Sequence, residues 1–329
     1  MDPLSQAALG ASWAQSSSRG RHLRDAALLG AVSGMAADLD TLIQSPTDPL
    51  LFMEYHRHFT HSLAFVPVGA LVCAALLHRI VRGRLSFGRT YLFCLLGYGS
   101  HGLLDACTTY GTQLLWPFSG VRVAWSVVAV FDPLFTAPVL ALVLLAAARR
   151  RVAWAYGAAA YAAAYLALGA VQSHRAVEAG AALAARRGHA PVRIEATPSL
   201  GNLILWKVIY EHDGRYYVDA VRAGLAARVY PGESTPKLDL AKHFPWLEPG
   251  TQQAIDVERF RRVSDDLLSI DDARPNRIVD LRYSMVPNEI EGFWAIVLDP
   301  HAAPGEHVEL IATREHAPEQ ARRLLAMLF

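Results

Sequence analysis

Histidines and aspartates that could hold a metal ion lie in three short groups within the first 105 residues of the chain. The groups are Asp38 with Asp40, His56 with His61, and His101 with Asp105. His101 and Asp105 are four residues apart, so on a helix their side chains share one face and can give one cation two ligands. The three cysteines, Cys73, Cys94 and Cys107, lie in apolar stretches. Any metal must therefore be held by histidines and carboxylates, which suit Zn²⁺ and also Mn²⁺ or Fe²⁺.

Charge balance is the reason for expecting a cation beside these residues. A carboxylate at membrane depth costs about 2.5–3.5 kcal/mol, so it is retained where it is paired, binds a metal or faces water. A divalent cation relieves the repulsion between converging carboxylates, and it lowers the pKa of bound water towards about 7 for hydrolysis. The predicted metal ligands are Asp40, His56, His61, His101 and Asp105. Asp38 is predicted to be a general base or a further ligand.

Simpler interpretations exist for the same residues. A His/Asp pair four residues apart can be an intrahelical hydrogen bond, and Asp38 or Asp40 can end a helix. Asp132, followed by a proline, can cap a helix N-terminus as well as bind a metal. Arg57 can hold an anionic group of a substrate, or it can neutralise the acids. Thr60 and Ser62 are expected to orient the histidines or cap a helix. No role is assigned to His22, His58 and His78.

The elements that must position these groups are unusually apolar. Of the 329 residues, 53% are hydrophobic and 19% are charged, and the mean hydropathy is +0.20. Long apolar runs predict membrane-spanning helices, because about 20 residues cross the hydrocarbon core. The runs are Ser62–Ile80, Tyr91–Thr108, Val127–Ala148 and Val152–Val171, with a shorter fifth at Ala26–Ala37. Residues 1–173 are therefore predicted to be a mainly α polytopic membrane domain of four to five spans with short N-terminal helices.

Arginines in the connecting loops predict the orientation of these spans. Arg79–Arg89 and Arg149–Arg151 mark cytoplasmic loops under the positive-inside rule. The metal site and the residues after the last run then face the extracytoplasmic side. The net charge of +1 excludes a generally basic nucleic-acid binder, so no nucleic-acid partner is expected.

Residues 174–329 have the pattern of a small soluble α+β domain with an antiparallel sheet. The dipeptide Asp213-Gly214 predicts a tight hairpin between two of its strands. The strand candidates are Leu203–His212, Arg215–Val221, Arg277–Ser284, Phe293–Asp299 and His307–Thr313. The helix candidates are Gln252–Leu268 and Pro318–Leu328.

The first part of the chain resembles the YdjM-like family of membrane-bound metal-dependent hydrolases of bacterial inner membranes. The segments that carry the resemblance are Asp2–Ala7, Asp38–Asp40, His56–Ser62, Gly97–Asp105 and Trp116–Phe118. Gln6 stands where many relatives have His, so this chain either loses a ligand there or replaces it with an amide oxygen. The resemblance implies a hydrolase of the inner (cytoplasmic) membrane, and it does not supply the substrate.

Together these features predict an integral membrane hydrolase in which metal-activated water attacks an ester, of phosphate or lipid type, at the membrane surface. Its expected partners are membrane lipids and this ester. The alternative is a non-enzymatic membrane protein with a structural metal site, whose C-terminal domain binds a protein partner. A metal or proton transporter is disfavoured, because the acids lie at one edge of the apolar runs and not along them.

Overall fold

The computed structural model describes residues 1–271, 273–312 and 317–328. The chain divides into two compact units. The helical unit comprises Met1–Leu42 and Tyr55–Ala170, and the sheet unit comprises Ile43–Glu54 and Val171–Phe329. The metal ligands predicted from the sequence all belong to the helical unit.

Seven α-helices precede the first strand among the described residues. They are α1 (Pro3–Ser17), α2 (Leu23–Met35), α3 (Leu51–Tyr55), α4 (Val66–Val81), α5 (Phe87–Ala106), α6 (Pro133–Arg149) and α7 (Ala153–Arg186), with 3₁₀ segments at Ala36–Leu42 and Phe59–His61. Two of them begin in the same way. Asp2 accepts hydrogen bonds from the first backbone N–H groups of α1, Asp132 does so for α6, and a proline follows each aspartate. A side-chain acceptor and a proline of fixed φ both favour a helix start.

Glycines let α1, α2 and α5 come into backbone contact. A Cβ on Gly10 of α1, or on Gly97 of α5, would overlap the carbonyl oxygen of Gly30 in α2. Any larger residue would push these helices apart. The crossing therefore fixes the position of α5 along α2. Because α5 carries two of the candidate ligands, the crossing also fixes their position relative to the 3₁₀ segment that follows α2.

The prediction of four to five membrane spans is wrong. Within the described residues one helix, α7, is long and apolar enough to cross a membrane. A second would be added if Leu51–His61 and Val66–Val81, which meet at 86°, counted as one broken span.

Two of the apolar runs misled the prediction because they extend beyond their helices. The run Ser62–Ile80 becomes helical only at Val66, and the run Val127–Ala148 only at Pro133, which leaves α6 with 17 residues. The run at Ala26–Ala37 gives a helix of 13 residues, α2. The side of the membrane predicted for the metal site depends on those spans, so the structure gives it no support.

The sheet unit contains two four-stranded antiparallel sheets, in the orders β1-β2-β3-β4 and β5-β6-β7-β8. The first has β1 (Arg193–Pro198), β2 (Leu205–His212), β3 (Arg215–Ala223) and β4 (Ala227–Pro236). The second has β5 (Leu268–Asp271), β6 (Arg274–Asp280), β7 (Trp294–Val297) and β8 (Glu309–Ala312). The helices of this part are α8 (Leu240–His243), α9 (Gln252–Val263) and α10 (Ala317–Leu328).

The predicted hairpin is present. His212 pairs with Arg215, and both residues between them have positive φ, +48° at Asp213 and +68° at Gly214. That backbone matches the twist of the strands it joins.

The prediction of one antiparallel sheet agrees with the structure only in part. β1, β4 and β5 have no counterpart among the predicted strands. β4 contains Pro231, Gly232 and Pro236 and lies at a sheet edge, so its sequence lacks the alternation by which strands are recognised. The last predicted strand ended at Thr313, which lies outside the described residues.

We predict that Gly97→Ala destabilises the helical unit. The added methyl group would press on the backbone of α2, and overpacking of this kind costs about 1–3 kcal/mol. Thermal unfolding of the purified protein should show a lower Tm for Gly97→Ala. The matched control is Gly88→Ala on the same helix, where a Cβ meets nothing within 4 Å. Equal Tm values for the two variants would contradict the crossing described above.

Candidate metal centre

Four side chains of the helical unit bring one donor atom each to a single point. They are Asp38, His61, His101 and Asp105, whose donor atoms lie within 4.8 Å of one another. The Nε2 atoms of the two histidines are 2.9 Å apart. Asp38 Oδ1 lies 3.4 Å from Nε2 of His61 and 3.3 Å from Nε2 of His101, and Asp105 Oδ2 lies 3.2 and 3.4 Å from the same two atoms. We call this set the inner donor group.

The spacing of the inner donor group fits one small cation. In a tetrahedral zinc site with bonds of about 2.0–2.1 Å, neighbouring ligand atoms are about 3.3–3.4 Å apart. The five distances given above run from 2.9 to 3.4 Å. Two imidazole nitrogens and two carboxylate oxygens are also a donor set that Zn²⁺ accepts. The residues present therefore fit a bound divalent metal.

The outer nitrogen of each imidazole determines which tautomer the ring adopts. His101 Nδ1 lies 2.5 Å from the carbonyl oxygen of Gly34, which can only accept, so Nδ1 carries the ring proton. His61 Nδ1 lies 3.1 Å from Asp40 Oδ2 and 2.9 Å from Thr60 Oγ1. Because Thr60 donates its hydroxyl proton to Asp40 Oδ2, both of these oxygens are acceptors for His61. Both Nε2 atoms therefore direct lone pairs into the inner donor group, as metal-binding histidines do.

Asp105 contributes a buried oxygen that lacks a hydrogen-bond donor. Its Oδ1 accepts from Gln6 Nε2 at 2.9 Å and from the α-amino group of Met1. Its Oδ2 lies 3.2 Å from Arg57 Nε but accepts no hydrogen bond from the described part of the chain. A buried acceptor left without a donor is destabilising. A cation at the centre of the inner donor group would remove that penalty.

Two residues of α5 next to His101 hold the segment that carries His61 in place. The hydroxyl of Tyr98 donates to the carbonyl oxygen of Thr60 at 2.9 Å. A Cβ on Gly102 would overlap the carbonyl oxygen of His61, so only glycine permits this approach. Sequence reasoning assigned no function to either residue. Their place within the Gly97–Asp105 motif was the available signal.

Asp38 is the member of the inner donor group that reaches solvent. Its side chain is 23% exposed, whereas the side chains of His61, His101 and Asp105 are fully buried. Burial alone would raise the pKa of Asp38, but the imidazoles of His101 and His61 beside it outweigh burial and hold the pKa well below the ordinary value. Asp38 is therefore an ionised carboxylate at the entrance of the centre.

The other two predicted ligands lie beside the inner donor group. Asp40 and His56 form a second group with Asp38, again with donor atoms within 4.8 Å of one another. Asp40 Oδ1 lies 2.9 Å from His56 Nδ1. Burial would raise the pKa of Asp40, but hydrogen bonds with His56 and His61 keep it well below the ordinary value. We call Asp38, Asp40 and His56 the outer donor group.

Arg57 is buried against the inner donor group. Its Nη1 donates to Thr108 Oγ1 at 2.7 Å, and its Nε lies 3.2 Å from Asp105 Oδ2. The residue has a φ of +63°, which a non-glycine residue rarely adopts. In that conformation its backbone N–H donates to Asp40 Oδ2 at 3.1 Å. Of the two roles considered for Arg57, these contacts favour neutralisation of the acids.

Asp132 and Gln6 were the two residues that could complete the site. Asp132 accepts hydrogen bonds from Leu134 N and Phe135 N and from the hydroxyl of Tyr165, as a helix N-cap does. It is in none of the candidate metal groups of the described residues. Gln6 touches the centre through Asp105, to which its amide nitrogen donates.

A third group of possible ligands, Asp48, Asp256 and His307, lies in the sheet unit. Here a guanidinium already occupies the position of a cation. Arg259 donates to both oxygens of Asp48 at 2.9 Å and to Asp256 at 3.0 Å, and it also binds Glu54. This group is therefore best described as a salt-bridge cluster.

We predict that Thr60→Val weakens metal binding. The substitution removes the hydroxyl that donates to Asp40 and lies beside His61 Nδ1, and losing an outer-shell partner typically lowers metal affinity about 10- to 100-fold. Competition with a chromogenic chelator would measure the affinity for Zn²⁺. Thr60→Ser, which keeps the hydroxyl, should bind like the wild type. An unchanged affinity in Thr60→Val would show that this contact does not orient His61.

Comparison with known proteins finds one matching family model and two similar proteins. The family model described as YdjM inner membrane protein matches residues 1–176. YfhP of Bacillus subtilis, an uncharacterized protein, is 30% identical over 109 residues, 33% of each chain. The inner membrane protein YbcI of Escherichia coli is 42% identical over 79 residues, which are 23% of this chain and 44% of that protein. The matched regions thus span less than half of either relative, and no solved structure matches the chain.

The family match includes every residue of the inner and outer donor groups. It also extends over more than half of the 329 residues. Both this match and the name of the Escherichia coli relative place the chain at a membrane. The chain belongs to the YdjM inner membrane protein family.

Proposed function

We propose that this protein is a metal-dependent hydrolase of the inner membrane that cleaves an ester. The observation that carries the proposal is the convergence of two imidazole lone pairs and two carboxylate oxygens at one buried point. Zn²⁺ fits the donor set best, and Mn²⁺ or Fe²⁺ are chemically acceptable. When bound, such a cation acidifies coordinated water and polarises an ester oxygen.

Other groups around the centre orient the histidines, balance the buried charge and face the solvent. Asp40 and Gly34 hold the ring protons of His61 and His101 away from the centre, so that both rings stay in the binding tautomer. Arg57 balances the charge of Asp105, which the fold buries completely. Asp38, at the solvent edge, is the residue that an entering substrate meets first.

Exposed leucines beside the centre support a substrate at the membrane surface. Leu39 and Leu42, on the same 3₁₀ segment as Asp38, are 65% and 77% exposed, and Leu63 is 46% exposed two residues after His61. Apolar side chains exposed together next to a polar site are typical of lipid or protein contact. In an inner membrane protein they favour an ester carried by a lipid.

A structural metal site is the second candidate function. Four protein ligands close a zinc site, whereas catalytic sites keep a position for water. Three of the four side chains in the inner donor group are fully buried. In this case the C-terminal domain would act by binding a protein partner.

We propose that the residues after α7 lie on the extracytoplasmic side. Arg149–Arg151 directly precede α7, the one clear candidate span among the described residues, and the positive-inside rule puts that end in the cytoplasm. Alkaline phosphatase fused after Phe329 should then be active, and a fluorescent protein fused there should be dark. Replacing the three arginines with glutamines should produce mixed orientations. A bright fluorescent fusion with an inactive phosphatase would reverse this assignment.

Hydrolysis can be tested on a panel of phosphate and carboxylate esters that includes phospholipids in micelles. The wild type with Zn²⁺ or Mn²⁺ should release product from at least one of them. His61→Ala and Asp105→Ala should lose bound metal and with it at least about 100-fold in rate, the scale of a lost charge-stabilising group. His78→Gln, in neither donor group, is the control. Metal retained by the wild type with no ester cleaved would favour the structural function.

A further inference from the structure

The outer donor group has the geometry of a second cation site. Asp40 Oδ1 and His56 Nδ1 are 2.9 Å apart, within the range found between the ligand atoms of the inner donor group. Asp38 belongs to both groups. A carboxylate has two oxygens, and one such side chain can bind two neighbouring cations.

The two oxygens of Asp40 have different surroundings. Oδ2 makes three contacts, at 3.1 Å from Arg57 N, 2.8 Å from Thr60 Oγ1 and 3.1 Å from Nδ1 of His61, a member of the inner donor group. Oδ1 points the other way, towards His56. The outer-shell role of Asp40 towards His61 therefore uses only one oxygen. The other can bind a cation without breaking that contact.

We propose that Asp38, Asp40 and His56 bind a second divalent cation, with Asp38 bridging it to the cation of the inner donor group. The inference rests on the proposed function, because it presupposes a metal in the inner donor group. With a second cation site present, the metal that serves catalysis would be the one in the outer donor group.

The inner and outer donor groups differ in their exposure to solvent. The inner donor group has four protein donors and is buried apart from Asp38. The outer group has three, and two of them reach solvent, since the side chains of His56 and Asp38 are 14% and 23% exposed. Three protein donors with solvent access are typical of catalytic zinc sites, and four buried donors are typical of structural ones. The outer position is the one that a substrate can reach.

A pair of cations also narrows the substrate class. Two metals about 3.5–4 Å apart bind both the attacking and the leaving oxygens of an in-line displacement, as in phosphatases and nucleases. We therefore expect a phosphate ester as substrate, because its cleavage is an in-line displacement of this kind. The exposed leucines beside Asp38 agree with a phosphate carried by a lipid.

The number of bound metals tests the proposal without any activity assay. The full-length protein is purified in detergent, saturated with Mn²⁺ and freed of excess metal. Elemental analysis gives the metal content per chain, and electron paramagnetic resonance distinguishes a spin-coupled pair from isolated ions. The variant that tests the second site is His56→Gln in the outer donor group, and His78→Gln is the control.

We expect about two metals per chain and a coupled spectrum in the wild type and in His78→Gln. His56→Gln should keep one metal with the spectrum of an isolated ion, and that retained metal shows that the variant is folded. One metal per chain in the saturated wild type, or two in His56→Gln, overturns the second site. If such a one-metal protein still cleaves esters, the proposed function stands without the second site. A wild type that binds no metal refutes both proposals.

Discussion

Two imidazole lone pairs that face each other inside the protein are the constraint on which the rest of this centre depends. The Nε2 atoms of His61 and His101 are 2.9 Å apart, and the outer nitrogens of both rings are bonded to acceptors that keep the ring protons there. Two lone pairs at this distance repel unless a positive charge lies between them. A proton would join only the two nitrogens, whereas a metal ion also binds the two carboxylate oxygens that lie 3.2–3.4 Å from them. The four-atom arrangement therefore favours a metal.

Close backbone contacts of α5 with α2 and with the His61 segment hold the two histidines at this distance. α5 supplies His101 and Asp105, and its glycines let it touch α2 at Gly30 and the carbonyl oxygen of His61. Because α2 is held this closely, the carbonyl oxygen of Gly34 in its last turn can accept a hydrogen bond from Nδ1 of His101. A side chain at Gly102 would overlap the carbonyl oxygen of His61 and would push the segment that carries His61 away from α5. Glycines of α5 consequently determine both the stability of the helix crossing and the geometry of the centre.

Sequence reasoning identified the residue types of the candidate ligands but could not assign their positions. The four-residue spacing of His101 and Asp105 predicts one helical face, and both reach the inner donor group. Asp38 and Asp40 lie on a 3₁₀ segment, in which residues two apart point in different directions because a turn takes about three residues. Asp38 therefore contacts Nε2 of both histidines, whereas Asp40 contacts Nδ1 on the opposite side of the His61 ring. Hydropathy likewise found where apolar helices lie but not where they begin, since a run of apolar residues can include the loop before a helix.

The division between a closed and an open donor group changes how the two candidate functions relate to each other. A buried four-donor site argues for a structural metal, and a hydrolase needs a position that water and substrate can reach. These requirements conflict only if the protein has one metal. With Asp38 shared between the groups, the inner donor group would hold a cation that fixes the two histidines, and the outer donor group, next to solvent and to the exposed Leu39, would hold the cation that a substrate can reach. The bridging residue must then be the exposed carboxylate, and Asp38 is the member of the inner group with that exposure.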